Sequence, residues 1–139
     1  MAETTIPVEH LFSLTAQTSV ACMLPTGPQG GRVVVEASTG TFEGPSMRGT
    51  VVPPGGDWVT LQPDGSMRLD VRLTLRTEDG AHILMSYRGI ATDGGKTIVT
   101  APTFETSDER YAWLNAVQAV ATGSTGDGSV TYDVYRIVA

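Results

Sequence analysis

The sequence predicts a single all-β domain over residues 1–139, an antiparallel up-and-down β-barrel of about 8–10 strands with one short helix. Three observations indicate this class. Short segments alternate between apolar and polar residues along almost the whole chain, and glycine-containing turns separate them. Hydrophobic residues make up 40% of the chain and charged residues 17%, which is a globular composition. At 139 residues the chain is long enough to bury one core.

The predicted strands follow one another at short intervals. In chain order they are EHLFSLTAQTSV, GRVVVEAST, MRGTVVP, DWVTLQ, MRLDVRLTLRT, AHILMSYRGIA, KTIVTAPTF, NAVQAVATG and VTYDVYRIV. One stretch, TSDERYAWLNA, has a helical pattern instead. Thr106 can cap a helix with Glu109 three residues later, and acidic residues occupy the first turn.

The turns favour a barrel over a two-sheet sandwich. The tripeptides PDG at 63–65, EDG at 78–80 and DGG at 93–95 each place glycine where a tight hairpin requires a positive φ. Three successive hairpins imply a meander, whereas sandwiches more often use Greek-key crossings. A barrel of about eight to ten strands is wide enough to hold one small ligand.

Composition and spacing exclude several kinds of partner. A net charge of −6, with only nine Lys and Arg scattered along the chain, argues against nucleic acid. The single Cys22 can form no internal disulfide and is expected to be a small buried hydrophobe. His10 and His82 lie far apart without acids at metal-ligand spacing, so we expect no metal.

Other familiar signals are missing as well. The run GPQGG at 27–31 opens a strand rather than a helix, and there is no G-x-S-x-G motif, so we expect no nucleotide and no cofactor. The first ten residues lack a basic region followed by an apolar run, and no apolar stretch approaches membrane length. We therefore expect a soluble cytoplasmic protein without a membrane partner.

The segment Met67–Thr77 alternates almost without error and poses the main structural question. One face carries four aliphatic side chains and the other carries mainly charge: Leu69, Val71, Leu73 and Leu75 against Arg68, Asp70, Arg72, Thr74 and Arg76. Alternation shows that these residues share faces, but it does not show which face points inward. Asp70 and Arg72 are an exposed ion pair if the apolar face fills the core, and candidate ligand contacts if the charged face lines a cavity.

Several motifs resemble one known family in order and spacing over nearly the whole chain. They are TGTFEGPSMRGTVVPPGGDW, PDGSMRLDVRLTLRTEDGAHI, PTFETSDERYAWLN and the closing YDVYRIV. The chain resembles the small proteins grouped as domain of unknown function 3237. The resemblance implies a lipocalin-like barrel with an internal pocket, often associated with aromatic-compound catabolism or natural-product pathways, but no single reaction.

The resemblance also informs the choice of site residues. It favours an inward-facing Asp70 and Arg72, with Arg72 able to hold a carboxylate or an enolate oxygen. Relatives often have Tyr-Phe-Arg where this chain has Thr97, Ile98 and Val99, and commonly an aromatic residue in place of Leu73. A pocket lined by these four positions would be more aliphatic and less cationic in this chain than in those relatives.

Carboxylates and aromatic residues supply the other candidates. Asp57 follows two glycines that allow close backbone approach, and burial beside Trp58 would raise its pKa towards neutrality, as a general acid or base requires. The motif GGDW also has a purely structural explanation, in which Asp57 caps the turn and Trp58 lies in the core. Glu105 would be a second titratable group if it faced inward near Asp57 or Tyr87, and otherwise orients the chain before Thr106.

The remaining candidates have equally simple structural explanations. Tyr87 shares parity with Met85, which is consistent with a position lining the cavity, and its hydroxyl could donate to a carbonyl oxygen. Glu43 is either a ligand contact or the partner of Arg48 across the GPSM turn. The family motif adds Trp113 as a ligand contact.

These residues lead to one functional hypothesis and one alternative. The leading hypothesis is a cofactor-independent isomerase, lyase or cyclase acting on a small hydrophobic aromatic or polyketide-like carbonyl compound inside the barrel. Asp57 or Glu105 would transfer the proton while Arg72 and Tyr87 hold the developing oxyanion. The alternative is a non-catalytic protein that binds the same kind of hydrophobic molecule. A homodimer formed through outer strands is compatible with either.

Overall fold

Nine antiparallel strands form the protein in a computed structural model that describes residues 4–139. The strands are β1 (Val8–Leu24), β2 (Gly31–Glu43), β3 (Arg48–Leu61), β4 (Met67–Thr77), β5 (His82–Thr92), β6 (Thr97–Thr100), β7 (Thr103–Glu105), β8 (Ala119–Gly126) and β9 (Ser129–Ile137). Two 3₁₀ helices, Asp93–Gly95 and Glu109–Ala116, complete the regular structure. No helix in the described part of the chain is long and apolar enough to cross a membrane.

The sheet closes on itself, so the predicted all-β barrel is confirmed. Its strand order is β4-β3-β2-β1-β9-β8-β6-β5, and β5 pairs again with β4. The short strands β6 and β7 share the edge of β5, with β6 on residues 89–92 and β7 on residues 84–86. The barrel therefore has eight strand positions, one of them divided between two short strands.

The division into strands differs from the predicted one in two places, and β1 and β2 each continue four residues past their predicted ends. The segments MRGTVVP and DWVTLQ form one continuous strand, β3, with an irregular stretch between Val52 and Gly56 that shifts its register against both neighbours. KTIVTAPTF instead divides into β6 and β7. Prolines at 53 and 54 caused the first error, because proline in a strand pattern normally signals a break rather than a bulge.

The helix forms where predicted, but with a different cap. The Asp108 side chain accepts the backbone N–H of Arg110 at 2.9 Å and so caps the 3₁₀ helix. Thr106 lies two residues earlier, where its hydroxyl accepts the Asp108 N–H and donates to the backbone carbonyl of His82. The threonine thus fastens the loop to β5 rather than capping the helix itself.

The interior divides into a packed half and an open half. In the packed half the ring of Phe12 lies 5.4 Å from that of Phe42 and 6.0 Å from that of Phe104, measured between centroids. Leu75, Ile83 and Leu114 are fully buried in the same core. The open half, towards the β8–β9 turn, contains a cavity.

Strand β4 turns its aliphatic face inward, so the prediction that Asp70 and Arg72 face the lumen is wrong. Leu69, Val71, Leu73 and Leu75 are buried, whereas Asp70 and Arg72 are exposed on the outer surface. The physical reason is that both halves of the interior are lined by apolar side chains, and burying two charges there without partners is costly.

Candidate functional site

A cavity of about 320 Å³ occupies the open half of the barrel, at the lower end of the range of small-molecule sites. Its wall is mostly aliphatic, and its polar groups are a carboxylate and a few hydroxyls. The lining residues are Ala16, Thr18, Ser19, Val20, Val35, Ala37, Asp57, Val59, Met67, Leu69, Val71, Leu73, Tyr87, Ala91, Ile98, Thr125, Gly128, Val130 and Tyr132.

Asp57 is the charged group of this wall. It lies in β3 just after the irregular stretch, where Gly55 packs so closely on β2 that a Cβ would collide with the carbonyl oxygen of Ala37. The backbone N–H of Asp70 donates to Asp57 Oδ1 at 3.0 Å. Burial raises the pKa of Asp57 from its ordinary value of 3.8 to about 6; the Asp70 N–H lowers it and the Asp70 charge raises it further.

Two tyrosines face the same cavity from opposite parts of the barrel. Tyr87 on β5 and Tyr132 on β9 are both buried, and their rings meet edge to face with centroids 5.4 Å apart. Burial, reinforced by the adjacent Tyr132 and Asp57, raises the pKa of Tyr87 well above its ordinary value. Burial also raises the pKa of Tyr132 to about 12. Both hydroxyls therefore stay protonated at neutral pH and can donate hydrogen bonds.

The arrangement combines a base with neutral hydrogen-bond donors in an apolar enclosure. A carboxylate with a pKa of about 6 accepts a proton and returns it near neutral pH more readily than an exposed aspartate does. Phenol hydroxyls that stay protonated at neutral pH are suited to stabilise an oxygen on which negative charge develops. The cavity therefore brings together the groups that a proton transfer requires.

Two of the four predicted catalytic residues line the cavity and two do not. Asp57 and Tyr87 lie where the sequence suggested. Arg72 and Glu105 are exposed on the outer face, where they border a separate cleft of about 380 Å³ together with Trp58. The expectation that Glu105 approaches Asp57 or Tyr87 is wrong, because Glu105 pairs with Leu84, whose side chain points outward.

The predicted ligand contacts lie outside the cavity. Glu43 is exposed and pairs with Arg48 at 3.5 Å, as its structural alternative predicted. Trp113 is part of the 3₁₀ helix, where the guanidinium carbon of Arg136 lies 5.8 Å from its ring centroid. Trp58 is exposed on the outer surface of β3, neither in the core nor against a ligand site inside the barrel.

Met85 and Asp70 contribute to the site only indirectly. Met85 is buried in the core, but it does not line the cavity. Asp70 holds Asp57 through its backbone N–H while its own side chain points outward. Neither position supports the predicted direct contact with a ligand.

Tyr132 is a cavity residue that the sequence did not mark as a candidate. Alternation in VTYDVYRIV already places it on one face with Val130 and Val134, and both of these are buried. The hydroxyls of Thr18 and Thr125 at the cavity mouth were also overlooked. Among residues 4–139 no three His, Cys, Asp or Glu side chains cluster as metal ligands would.

Comparison with known proteins identifies the family. The model of the family described as protein of unknown function (DUF3237) matches residues 6–137. The chain belongs to the DUF3237 family. The resemblance noted in the sequence is thus confirmed over almost its whole length.

DUF3237 relatives include an enzyme and proteins without a described activity. The chain is 31% identical to the hydroalkoxylation enzyme phnH of Penicillium herquei, over 83% of this chain and 72% of the relative. It is 27% identical to a UPF0311 protein of Clostridium acetobutylicum, over 93% and 92%. A crystal structure described as a beta-barrel like protein from Acinetobacter baumannii superposes with a TM-score of 0.85 at 25% identity, covering 99% of both chains.

Asp57 should make the stability of this DUF3237 chain depend on pH. Its folded-state pKa of about 6 exceeds the unfolded value of 3.8, so folding binds a proton between these values and stability falls as pH rises through 6. Asp57→Asn should therefore be more stable than the parent by about 1–3 kcal/mol at pH 8 and equally stable near pH 4. Asparagine keeps the acceptor for the Asp70 N–H.

Urea unfolding of both proteins at pH 4 and pH 8 measures this difference. Glu78→Gln, which removes an exposed carboxylate, is the control and should show no such divergence. Equal stabilities of parent and Asp57→Asn at pH 8 would contradict the assignment of a buried, destabilised carboxylate.

Proposed function

We propose that this protein is a cofactor-independent enzyme that moves a proton within a hydrophobic aromatic or polyketide-like carbonyl compound held in the cavity. The observation that carries the proposal is the Asp57 carboxylate, with its pKa of about 6, in one apolar cavity with the hydroxyls of Tyr87 and Tyr132. A simple carrier of apolar molecules has no need of a destabilised carboxylate at its centre.

The reaction class we propose is the addition of a substrate hydroxyl to a carbon–carbon double bond conjugated to a carbonyl. The hydroalkoxylation enzyme among the relatives supports this class, because its name describes addition of an O–H group across a double bond. Both reacting groups can belong to one molecule, and the product is then a cyclic ether of the same mass. Such a reaction is an isomerisation and needs no oxidant or reductant.

Asp57 would act first as base and then as acid. Its carboxylate removes the hydroxyl proton while the oxygen attacks the β-carbon, so that a C–O bond forms and the double-bond electrons move to the carbonyl oxygen. The resulting enolate collapses as the Asp57 carboxylic acid returns the proton to the α-carbon. The O–H bond is exchanged for a C–H bond, and Asp57 ends in its starting state.

Tyr87 and Tyr132 would stabilise the developing oxyanion, a role that the sequence had suggested for Tyr87 and Arg72. Their hydroxyls would donate hydrogen bonds to the carbonyl oxygen, and these bonds strengthen as that oxygen becomes an enolate. Arg72 has no access to this oxygen from the outer surface. The stabilising donors are therefore neutral.

The cavity favours an uncharged substrate. Among the lining residues that the structure describes, Asp57 is the one with a formal charge, and no Lys or Arg faces it. A substrate carboxylate would meet a negative charge without a compensating cation, at a high desolvation cost. We therefore expect neutral phenols, alcohols and ketones rather than acids.

The proposal is tested by searching for a product that has the same mass as the substrate. The protein is incubated with neutral hydroxy-enones and ortho-hydroxyaryl enones, and isomeric cyclic ethers are sought by chromatography with mass detection. We expect stereoselective formation of at least one product of unchanged mass. If compounds that bind are returned unaltered or racemically cyclised at the rate in buffer, the protein is a binding protein and the proposal fails.

Removing one tyrosine hydroxyl should slow this reaction. We expect Tyr132→Phe and Tyr87→Phe each to lower kcat by about 10²-fold, because loss of one oxyanion donor typically costs this much. Tyr135→Phe is a matched control on β9, since the Tyr135 ring meets that of His10 edge to face and does not line the cavity. Steady-state kinetics at pH 8 measures the effect, and unchanged kcat in both cavity variants would remove the tyrosines from the mechanism.

A further inference from the structure

Strand β1 continues beyond the closed part of the barrel at the cavity mouth. Its pairing with β9 ends at Gln17 opposite Ser129, whereas its pairing with β2 continues to Leu24 opposite Arg32. The last residues of β1 and the first residues of β2 therefore project past the β8–β9 hairpin. One face of this projection continues the wall of the cavity.

The inward face of the projection is apolar; we call it the mouth shelf, formed by Val20, Met23, Val33 and Leu61. Val20 lines the cavity and pairs with Val35, which lines it too. A bulge between Val20 and Cys22 places Met23 opposite Val33, two residues from Val35 and so on the same face. Leu61 follows Val59 on β3 with the same spacing.

The mouth shelf is largely uncovered in the single chain. Val20 is 61% exposed, Met23 59% and Leu61 36%. Val33 is partly buried and packs on the core, which joins the shelf to the interior. An apolar surface that runs without interruption out of a ligand cavity is suited to an apolar extension of the ligand.

The reacting groups begin at the shelf and extend inward from it. Asp57 pairs with Val35, which pairs with Val20, so the carboxylate is two strand spacings, about 10 Å, from the shelf. Tyr132 lies further in, because it pairs with Leu14 in β1, six residues before Val20. The cavity of about 320 Å³ that these residues line holds only a small ring system. A larger substrate must therefore leave part of its structure at the mouth.

We infer that the substrate consists of a hydroxylated head, held at Asp57, and an uncharged hydrocarbon tail that leaves the cavity and lies on the mouth shelf. This inference rests on the proposed function, because it names the substrate class of the same site. The shelf carries no charge or hydrogen-bonding side chain, so it selects the tail by apolar contact alone. Tail length, rather than tail polarity, then determines affinity.

Binding of 4-alkylphenols, from methyl to octyl, tests the inference by calorimetry. Once the tail is long enough to leave the cavity, we expect affinity to rise about two- to fourfold per methylene group. In the double variant Met23→Ser/Leu61→Ser this rise should disappear for the long tails, while 4-methylphenol binds as in the parent because neither residue lines the cavity. Met23 is 59% exposed and Leu61 36%, and thermal unfolding verifies that the variant is folded.

Leu24→Ser is the matched control. Leu24 is 54% exposed, comparable with Met23, but it follows Met23 directly and so points to the opposite face of the same strand. It should leave the dependence on tail length unchanged. An equal loss in Leu24→Ser, or an undiminished rise in the double variant, would overturn the inference, as would failure of every alkylphenol to bind.

A second copy of the chain is the competing occupant of the shelf. Light scattering distinguishes it, because a dimer that dissociates in Met23→Ser/Leu61→Ser but not in Leu24→Ser would show that the shelf is an interface and would overturn the inference. The two proposals fail separately. Turnover by the parent without any dependence of binding on tail length contradicts the shelf, whereas tail-dependent binding without turnover contradicts the catalytic proposal.

Discussion

Replacing Asp57 with asparagine should lower kcat/KM for a hydroxy-enone substrate by about 10²–10⁴-fold, the usual contribution of a general acid or base. Asparagine keeps the shape of the side chain and the acceptor for the Asp70 N–H, but it cannot take up the hydroxyl proton. Binding of the substrate should change little, since the apolar wall and both tyrosines remain. Steady-state kinetics together with calorimetric binding separates the two quantities.

The pH profile of the parent enzyme provides an independent measurement. The base form of Asp57 starts the reaction, so kcat/KM should rise with pH through an apparent pKa of about 6 and then level off. Asp57→Asn should lose this inflection as well as the rate. A profile that falls through pH 6 would show that the carboxylic acid is the active form and would contradict the base-first mechanism.

Glu105→Gln and Arg72→Ala are the informative controls for Asp57. Both residues are chemically suited to the reaction, yet the structure places them on the outer surface. We expect each variant to keep parental kcat/KM. Loss of activity in Glu105→Gln comparable with that in Asp57→Asn would transfer the proton-transfer role out of the cavity.

Phe12→Ala should destabilise the protein by about 3–5 kcal/mol, the range measured for truncating a fully buried aromatic residue. Phe12 is completely buried and packs against both Phe42 and Phe104, so its removal leaves a void that three strands would have to close. Urea unfolding at pH 7, followed by tryptophan fluorescence or circular dichroism, gives the free energy of unfolding.

Leu84→Ala is the comparison for Phe12→Ala. Leu84 is also an apolar strand residue, but it is 47% exposed, so its truncation should change stability by no more than about 0.5 kcal/mol. A loss below about 1 kcal/mol for Phe12→Ala would mean that neighbouring side chains collapse into the void, and it would contradict a rigidly packed aromatic cluster.

The barrel itself could be predicted because alternation and glycine turns are local signals. Gly65, Gly80 and Gly94 all adopt the positive φ that the three turns required. The course of β3 could not be predicted, because the strand continues through two prolines by shifting register against both neighbours. That shift depends on the partner strands, which no local pattern describes.

Asp57 and Arg72 show why the site could be predicted only in part. Asp57 follows two glycines, a local mark of a crowded position, and the carboxylate is partly buried in the cavity wall, although Trp58 takes no part in burying it. Arg72 belongs to a perfectly alternating strand, in which both orientations satisfy the pattern equally well. The choice between them depends on what fills the lumen, and residues distant in sequence determine that.

Tyr132 shows the same limit in the reverse case, a site residue that the sequence did not indicate. Alternation along β9 predicts which face of the strand carries Tyr132. Nothing near it in sequence indicates that Tyr87 faces it across the barrel. The pairing arises from closure of the sheet, with β9 and β5 separated by β8 and β6. Sites assembled from opposite walls of a barrel therefore need the three-dimensional arrangement.

The division of the interior into a packed half and an open half has an evolutionary consequence. Most of the aromatic packing lies at one end, whereas small side chains such as Ala16, Ala37 and Ala91 shape the other. Exchanging these alanines for larger or polar residues alters the ligand space without disturbing the aromatic cluster that keeps the barrel folded. One scaffold can thus acquire new substrates by substitutions in a region where the cost to folding is low, which makes this half the natural target for directed evolution.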